Sequence, residues 1–332
     1  MADIPHNDAW SDAHVPHPGH AVTAPSGEHL VDSDLRPALA VLPDLGGLSL
    51  ANLPAIRDTL ARTPPLDPPV GLTVERVWLP SGADGPAISG LLHRPASAGP
   101  HPAILNLHGG GFVAGTAERE DGAMRALAVA LNAVILTIDY RLAPETPYPG
   151  ALYDAVAALR WLHDQADTLT IDRARIAVRG VSAGGGLAAG LALHARDHHG
   201  PAIAFLSLVY PMLDDRTGPH PVAGTYVWPI AANRFAWSSY LAGIEPVPVY
   251  AAPARAQDLA GLPPTFIAAG AIDLFANEDI AFAQALMRSG VPTELHVYPG
   301  AYHGFTLITR AAVAQRFEHD SLDAFRRALV AS

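Results

Sequence analysis

The sequence has no cysteine, which excludes disulfides, thiolate nucleophiles and cysteine-ligated metals. It has no lysine either, and all 21 basic residues are arginine. That removes the phosphate-gripping lysine of a P-loop, Schiff-base chemistry and a Ser–Lys dyad. Positive charge is scarce overall: 21 basic residues stand against 32 acidic ones, a net charge of −11. Nucleic acid and anionic membrane are therefore poor main partners. The longest run of apolar and small residues lies around Val181–Leu193, short of the roughly 18 residues that span a bilayer. The opening MADIPHNDAW carries Asp3 and lacks the apolar stretch of a secretory signal. The expectation is a soluble, cytoplasmic protein.

What is abundant is apolar material. Hydrophobic residues make up 49% of the 332 residues and charged ones 16%, enough for a large core and incompatible with global disorder. Residues 1–70 scatter Pro, His and Asp, with a helical patch near Leu48–Arg62 running into the Pro-rich TPPLDPP. They read as an N-terminal arm with one or two helices. Strands are predicted at Leu72–Leu79 and Ile88–His93, joined by the turn-rich SGADGP. From Ala103 onward strands and helices alternate. Strands are expected at Ala103–Leu107, Ala133–Tyr140, Arg175–Gly180, Ala202–Pro211, Thr265–Gly270 and Thr293–Tyr298. Helices are expected at Glu118–Leu131, Ala151–Gln165, Ala183–Ala195, Glu278–Ser289 and Ala311–Val330, the last open to a break. Such alternation specifies an α/β protein with a mostly parallel sheet and helices on both faces. Residues 214–258 interrupt the rhythm with Tyr226, Trp228, Trp237, Tyr240 and Tyr250 and read as a lid over a binding site.

One stretch, GVSAGGGLAAG at 180–190, admits two chemistries. Gly184, Gly186 and Ala189 form G-x-G-x-x-A, a dinucleotide loop; Gly180, Ser182 and Gly184 form G-x-S-x-G, a turn that exposes a nucleophilic serine. A dinucleotide loop wants an acid about 20 residues on to hold the ribose. That region, Ala202–Leu208, has none, and the first acid beyond it is Asp214. At least three expected sheet strands also precede the motif, whereas the dinucleotide loop usually follows the first strand of its unit. A serine nucleophile instead needs donors for the negative charge that forms on the carbonyl oxygen. Just past the Ala103–Leu107 strand stands His108-Gly109-Gly110-Gly111, the oxyanion-loop motif of lipases and esterases. The two motifs together select the serine.

Chain order then supplies its partners, since in this fold the acid and then the histidine follow the serine. Asp273 and His303 each lie just past the carboxyl end of an expected strand, where catalysis belongs in open α/β sheets. The rivals are less well placed: Asp279 falls inside the next helix, facing away from the loop, His296 inside a strand and His319 in the last helix. Asp273 is also suited to cap the helix that follows it.

These stretches resemble the bacterial esterases similar to hormone-sensitive lipase, a branch of the α/β-hydrolases. H-G-G-G at 108–111, D-Y-R-L-A-P-E at 139–145 and Y-P-G-A-L-Y-D-A-V-A-A-L-R-W-L at 148–162 carry the likeness. So do G-V-S-A-G-G at 180–185, D-L-F-A-N-E at 273–278 and H-G-F at 303–305. The likeness runs from about residue 72 to the C-terminus. It implies an eight-stranded sheet under a helical cap, with residues 1–70 and the 214–258 insert in the cap positions and residues 71–332 as catalytic domain. It implies Ser182 as nucleophile, His303 as base and Asp273 as the acid that orients it. The N–H groups of Gly110, Gly111 and Ala183 would form the oxyanion hole. Three positions depart from the family pattern: Val181 where an acid is common, Gly186 where Asn is common, and Leu274 where Pro is common. Glu278 and an Asp139–Arg141 pair are expected as structural anchors.

The chemistry implied is hydrolysis of short-acyl esters through an acyl-enzyme, with no cofactor and no metal. The spacing of His6, His14, His17 and His20 is not that of a metal site. Bulky Tyr226, Trp228, Trp237 and Tyr240 are expected to narrow the acyl side. The alternatives are a lactonase, an amidase or peptidase on the same triad, or a binding protein. Plant gibberellin receptors resemble this family without the catalytic histidine, which is present here as His303. A small-molecule ester is the expected partner, and a homodimer stays open.

Overall fold

The computed structural model describes residues 27–329 apart from 44, 63–65, 68–69 and 82–84. The N-terminal histidines, and parts of SGADGP and TPPLDPP, lie outside the described residues. Eight strands form one sheet: β1 (Leu72–Leu79), β2 (Ile88–Pro95), β3 (His101–Leu107), β4 (Val134–Ile138), β5 (Ile171–Val181), β6 (Phe205–Val209), β7 (Thr265–Gly270) and β8 (Thr293–Tyr298). Their order is β1-β2-β4-β3-β5-β6-β7-β8. Pairing is antiparallel for β1 with β2 and for β2 with β4, and parallel from β4 onward. The central strands β3, β4, β6 and β7 are buried along their whole length, because helices cover both of their faces. Edge strands β1 and β8 are only partly covered.

Seven α-helices complete the described chain: α1 (Leu53–Ala61), α2 (Ala117–Leu131), α3 (Gly150–Asp164), α4 (Ala183–Asp197), α5 (Ile230–Leu241), α6 (Ala276–Arg288) and α7 (Ala312–Leu329). One core layer joins α3, α4, α5 and α6 to one face of the sheet. On the other face, Ala177 and Val181 of β5 meet Met124, Ala128 and Leu131 of α2 and Phe317 and Phe325 of α7. Helix α2 has Glu118 and Glu120 in its first turn, where negative charge suits the helix dipole. It stops at Asn132, left-handed at φ 49°, whose N–H returns to the carbonyls of Ala128 and Val129.

Several bounds differ from the sequence reading. Strand β4 ends before Asp139, whose side chain is engaged at the start of α2. Strand β6 ends before Tyr210, which turns to φ 35°. Strand β5 starts at Ile171 rather than Arg175. Helix α7 runs unbroken, and α5 lies in a segment read as irregular. No helix among the described residues is long and apolar enough to cross a membrane.

Candidate active site

Ser182 stands between the end of β5 and the start of α4 at φ 54° and ψ −119°. A non-glycine residue at positive φ is strained, and the chain holds it by bonding. Its N–H donates to Val209 O (2.9 Å), and its carbonyl accepts from Gly185, Gly186 and Met212. The following helix α4 presses close to the oxyanion loop. A Cβ on Gly184 would stand 2.1 Å from Leu107 O and 2.4 Å from His108 O. Glycine there lets the two motif-bearing turns touch backbone to backbone.

The side chains that chain order selected meet. Ser182 Oγ lies 2.9 Å from His303 Nε2, and His303 Nδ1 lies 2.8 Å from Asp273 Oδ2. A carboxylate can only accept, so Nδ1 carries the proton and Nε2 receives the serine hydroxyl. All three residues are buried. Asp273 Oδ1 also accepts the Phe275 N–H at 3.0 Å, bracing the turn into α6. The His303 ring is held by Phe275 edge-on at 5.2 Å and by Tyr210 at 4.9 Å. Asp279, His296 and His319 stand apart from this line. Asp279 is buried in α6, His296 pairs with Glu294 and Asp320, and His319 pairs with Asp323.

The N–H groups of Gly110, Gly111 and Ala183 donate to no protein acceptor among the described residues. Gly110 sits at φ 127°, and a Cβ there would lie 2.1 Å from Ala114 O. Its carbonyl accepts from Val113 and Ala114 N–H, which closes the loop into a tight turn. Beneath it the His108 ring stacks on Tyr140 at 4.2 Å, and the Tyr140 hydroxyl donates to His108 O at 2.8 Å. Burial holds the His108 imidazole below its ordinary pKa, so no cation arises there at neutral pH.

Residues outside the motifs position this loop. Arg57 of α1 donates to Val113 O (2.7 Å) and Ala143 O (2.9 Å) and pairs with Glu145 (2.7 Å). It thereby ties α1 to both the oxyanion loop and the D-Y-R-L-A-P-E stretch. Phe112 stacks on Tyr240 at 3.9 Å and tilts against Trp237 at 5.5 Å. No motif pointed to Arg57, because its partners are far away in sequence.

Two expectations need correction. Asp139 and Arg141 do not pair with each other. Asp139 accepts the Ala117 N–H at the head of α2 and bonds Ser89 and Arg76, while Arg141 pairs with the buried Asp154 of α3. The strand ends at Ile138, and each side chain beyond it is held by a different helix, Asp139 by the head of α2 and Arg141 by α3. Of the four aromatics expected to narrow the acyl side, only Trp228 lines the cavity. Trp237 and Tyr240 are buried behind Phe112, and Tyr226 packs toward Tyr302. Glu278 accepts N–H groups from Leu213 and Asp214 and bonds the Thr217 hydroxyl, anchoring the start of the insert.

The serine opens onto a cavity of about 610 Å³, within the size range of pockets that hold drug-sized molecules. One wall is backbone, Gly109, Gly110 and Gly115. A second is the side chains of Leu42, Leu45, Leu48, Ile56 and Leu60. A third is Met124 and Leu127 of α2 with Phe317 and Leu322 of α7. Val181, next to Ser182, and Arg179, two residues earlier on β5, line the cavity as well. Among the described residues no cluster of three or more metal-ligating side chains occurs.

Comparison with known proteins places this geometry. Esterase LipI of Mycobacterium tuberculosis is 41% identical over 210 residues, 61% of this chain and 65% of that relative. Carboxylesterase NlhH of the same species is 38% identical over 224 residues, 64% of this chain and 69% of NlhH. Among solved structures, a bacterial heroin esterase superposes with a TM-score of 0.85 at 37% identity, covering 92% of this chain and all of that one. Esterase LipW from Mycobacterium marinum superposes with a TM-score of 0.82 at 32% identity, covering 92% of this chain and 98% of LipW. Residues 104–307 match the family described as alpha/beta hydrolase fold, and the chain belongs to that family, in its hormone-sensitive-lipase-like branch of carboxylic ester hydrolases.

Proposed function

We propose that Ser182, His303 and Asp273 carry out ester hydrolysis here, with small-molecule esters of short acyl chains as substrates. The observation that supports this reading best is the unbroken line Oγ–Nε2, Nδ1–Oδ2 at 2.9 and 2.8 Å. His303 Nε2 takes the Ser182 proton as Oγ bonds to the acyl carbon. The carbonyl π pair moves onto oxygen, where the N–H groups of Gly110, Gly111 and Ala183 receive the charge. The C–O bond to the alcohol breaks, and the imidazolium returns its proton to that oxygen. Water repeats the cycle on the acyl-enzyme and frees the acid. The described parts of residues 1–70 and of the 214–258 insert act as a cap over the cavity, with Leu42, Leu60, Val227 and Trp228 in its lining.

A fluorophosphonate tests the nucleophile directly, since it labels only an activated serine. Labelling at Ser182 is expected in the native chain. Ser182→Ala should keep the fold and lose about three or more orders of magnitude in kcat. Most activity surviving in the pure variant would remove Ser182 from the reaction.

The acyl preference is tested with p-nitrophenyl esters from acetate to palmitate. Each buried methylene contributes up to about 0.8 kcal/mol where an apolar wall meets it. Arg179 and Glu120 are part of the cavity lining and end that gain for a longer chain, so kcat/KM should peak at roughly two to six carbons and then fall. An optimum at laurate, or a jump when the substrate emulsifies, would contradict it.

A further inference from the structure

A row of polar side chains crosses the sheet under the cavity. Thr137, Asn106, Arg179 and Ser207 are register partners on β4, β3, β5 and β6, and all four are buried. Their neighbours on this face are apolar: Ala177 and Val181 on β5, Phe205 and Val209 on β6. Asn106 bridges the row, donating to Thr137 Oγ1 at 3.2 Å and accepting from Arg179 Nη1 at 2.6 Å. The same Nη1 lies 3.4 Å from Glu120 Oε2, from the first turn of α2.

The row is not closed on itself. Arg179 has five N–H donors, yet its Nε and Nη2 meet no protein acceptor among the described residues. Ser207 Oγ, next to it in the register, is fully buried without a hydrogen-bond partner among the described residues. Arg179 and Glu120 both line the cavity that opens at Ser182. Arg179 is three residues before Ser182 on the strand, about 10 Å at the usual rise per residue. The Arg179 side chain lines the same cavity as Ser182, so a polar group several bonds from the reacting carbonyl is the kind that would meet it.

We infer that Arg179, with Glu120, is a specificity point that takes a neutral oxygen acceptor (keto, amide or hydroxyl) on one arm of the ester. This rests on the serine-esterase reading. Glu120 already balances the guanidinium, so a substrate carboxylate would face Glu120 and a substrate cation would face Arg179. A neutral acceptor meets the free donors without that conflict. A plain alkyl chain laid over Arg179 strips its water and returns no hydrogen bond. Sites built to bond a polar group discriminate strongly against the analogue that lacks it.

The experiment compares matched esters within each protein. In the acyl arm, p-nitrophenyl 5-oxohexanoate is set against hexanoate, and 4-oxopentanoate against pentanoate. In the alcohol arm, 3-oxobutyl acetate is set against butyl acetate. In the native chain the oxo ester should lead in kcat/KM by about tenfold or more in at least one arm. In Arg179→Met/Glu120→Met, which exchanges the pair for apolar side chains, the ratio should fall to about one. A purely structural role would lower both esters alike and leave the ratio intact. Glu120→Gln keeps the shape and frees Arg179 as a lone cation. It should raise p-nitrophenyl hydrogen glutarate relative to 5-oxohexanoate by about tenfold, and it carries the test alone if the double variant does not fold. Ratios near one for every pair in the native chain overturn the inference, as does an unchanged ratio in the double variant or no gain for glutarate in Glu120→Gln. A native chain that hydrolyses no acetate ester overturns the esterase reading itself, and this inference with it.

Discussion

Asp273 divides its two oxygens between two tasks, Oδ2 toward His303 and Oδ1 toward the Phe275 N–H. Replacing it by Asn retains the turn but presents an N–H where His303 needs an acceptor. Asp273→Asn should fold normally and lose up to about four orders of magnitude in kcat through the wrong imidazole tautomer. Asp279, six residues later and equally buried, has no hydrogen-bond partner for either oxygen among the described residues. Asp279→Asn should keep activity within a few-fold on p-nitrophenyl acetate, and the reverse pattern would exchange the two acids. The meeting of Ser182, His303 and Asp273 was legible because polar side chains just past strand ends gather at one edge of a parallel sheet. Val181 was visible as a departure, but its consequence was not. Arg57, Tyr210 and the Glu120–Arg179 pair were invisible for a physical reason. They act through contacts such as Arg57–Glu145, 88 residues apart in sequence, and no local periodicity records such a meeting.

Strands and helices were legible where burial imposes a period. The predicted bounds of β1, β7 and β8 coincide with the structure, since each is flanked by turn or breaker residues. Helix α5 escaped because Ile230 and Phe235, off its most buried face, are themselves partly buried apolar residues; without polar contrast a helix shows no stripe. Two contacts between elements make predictions. Helix α4 meets the oxyanion loop through Gly184, where a Cβ would overlap Leu107 O. Gly184→Ala should cost far more activity than stability, because the loop must withdraw from Ser182. Active-site titration with a fluorophosphonate, beside circular dichroism, separates the two. Helix α1 meets the same loop through Arg57. Arg57→Met leaves the Val113 and Ala143 carbonyls without that donor. It should lower stability in urea by about 1–3 kcal/mol and reduce kcat. Unchanged kcat would mean that the loop keeps its shape without α1.

For the molecule as a whole, two buried acids set the response to pH. Burial pushes Glu278 up to about 8, against the opposing hydrogen bonds from Thr217, Leu213 and Asp214. Burial also raises Asp279 well above the ordinary carboxyl value, helped by the nearby charges of Glu278 and Asp273. Between the unfolded and folded values the native state holds protons that the unfolded chain has released, so stability falls as pH rises. For Glu278 that window runs from 4.5 to about 8. The midpoint of thermal unfolding should decline across it, and Asp279→Asn should make the decline shallower; an identical slope would place the titrating groups elsewhere. The cavity walls carry a different consequence, for descent with modification. Gly109, Gly110 and Gly115 form a wall of backbone, while Leu42, Leu45, Leu48, Ile56 and Leu60 form a wall of interchangeable apolar side chains. Apolar surfaces of conserved volume accept substitution readily; backbone in near contact does not. Evolutionary drift can therefore redraw which esters enter while the reaction stays untouched. A library shuffled among apolar residues at those five leucine and isoleucine positions should yield mostly folded, reactive clones with new preferences, and one of equal size across Gly109–Gly115 mostly inert protein.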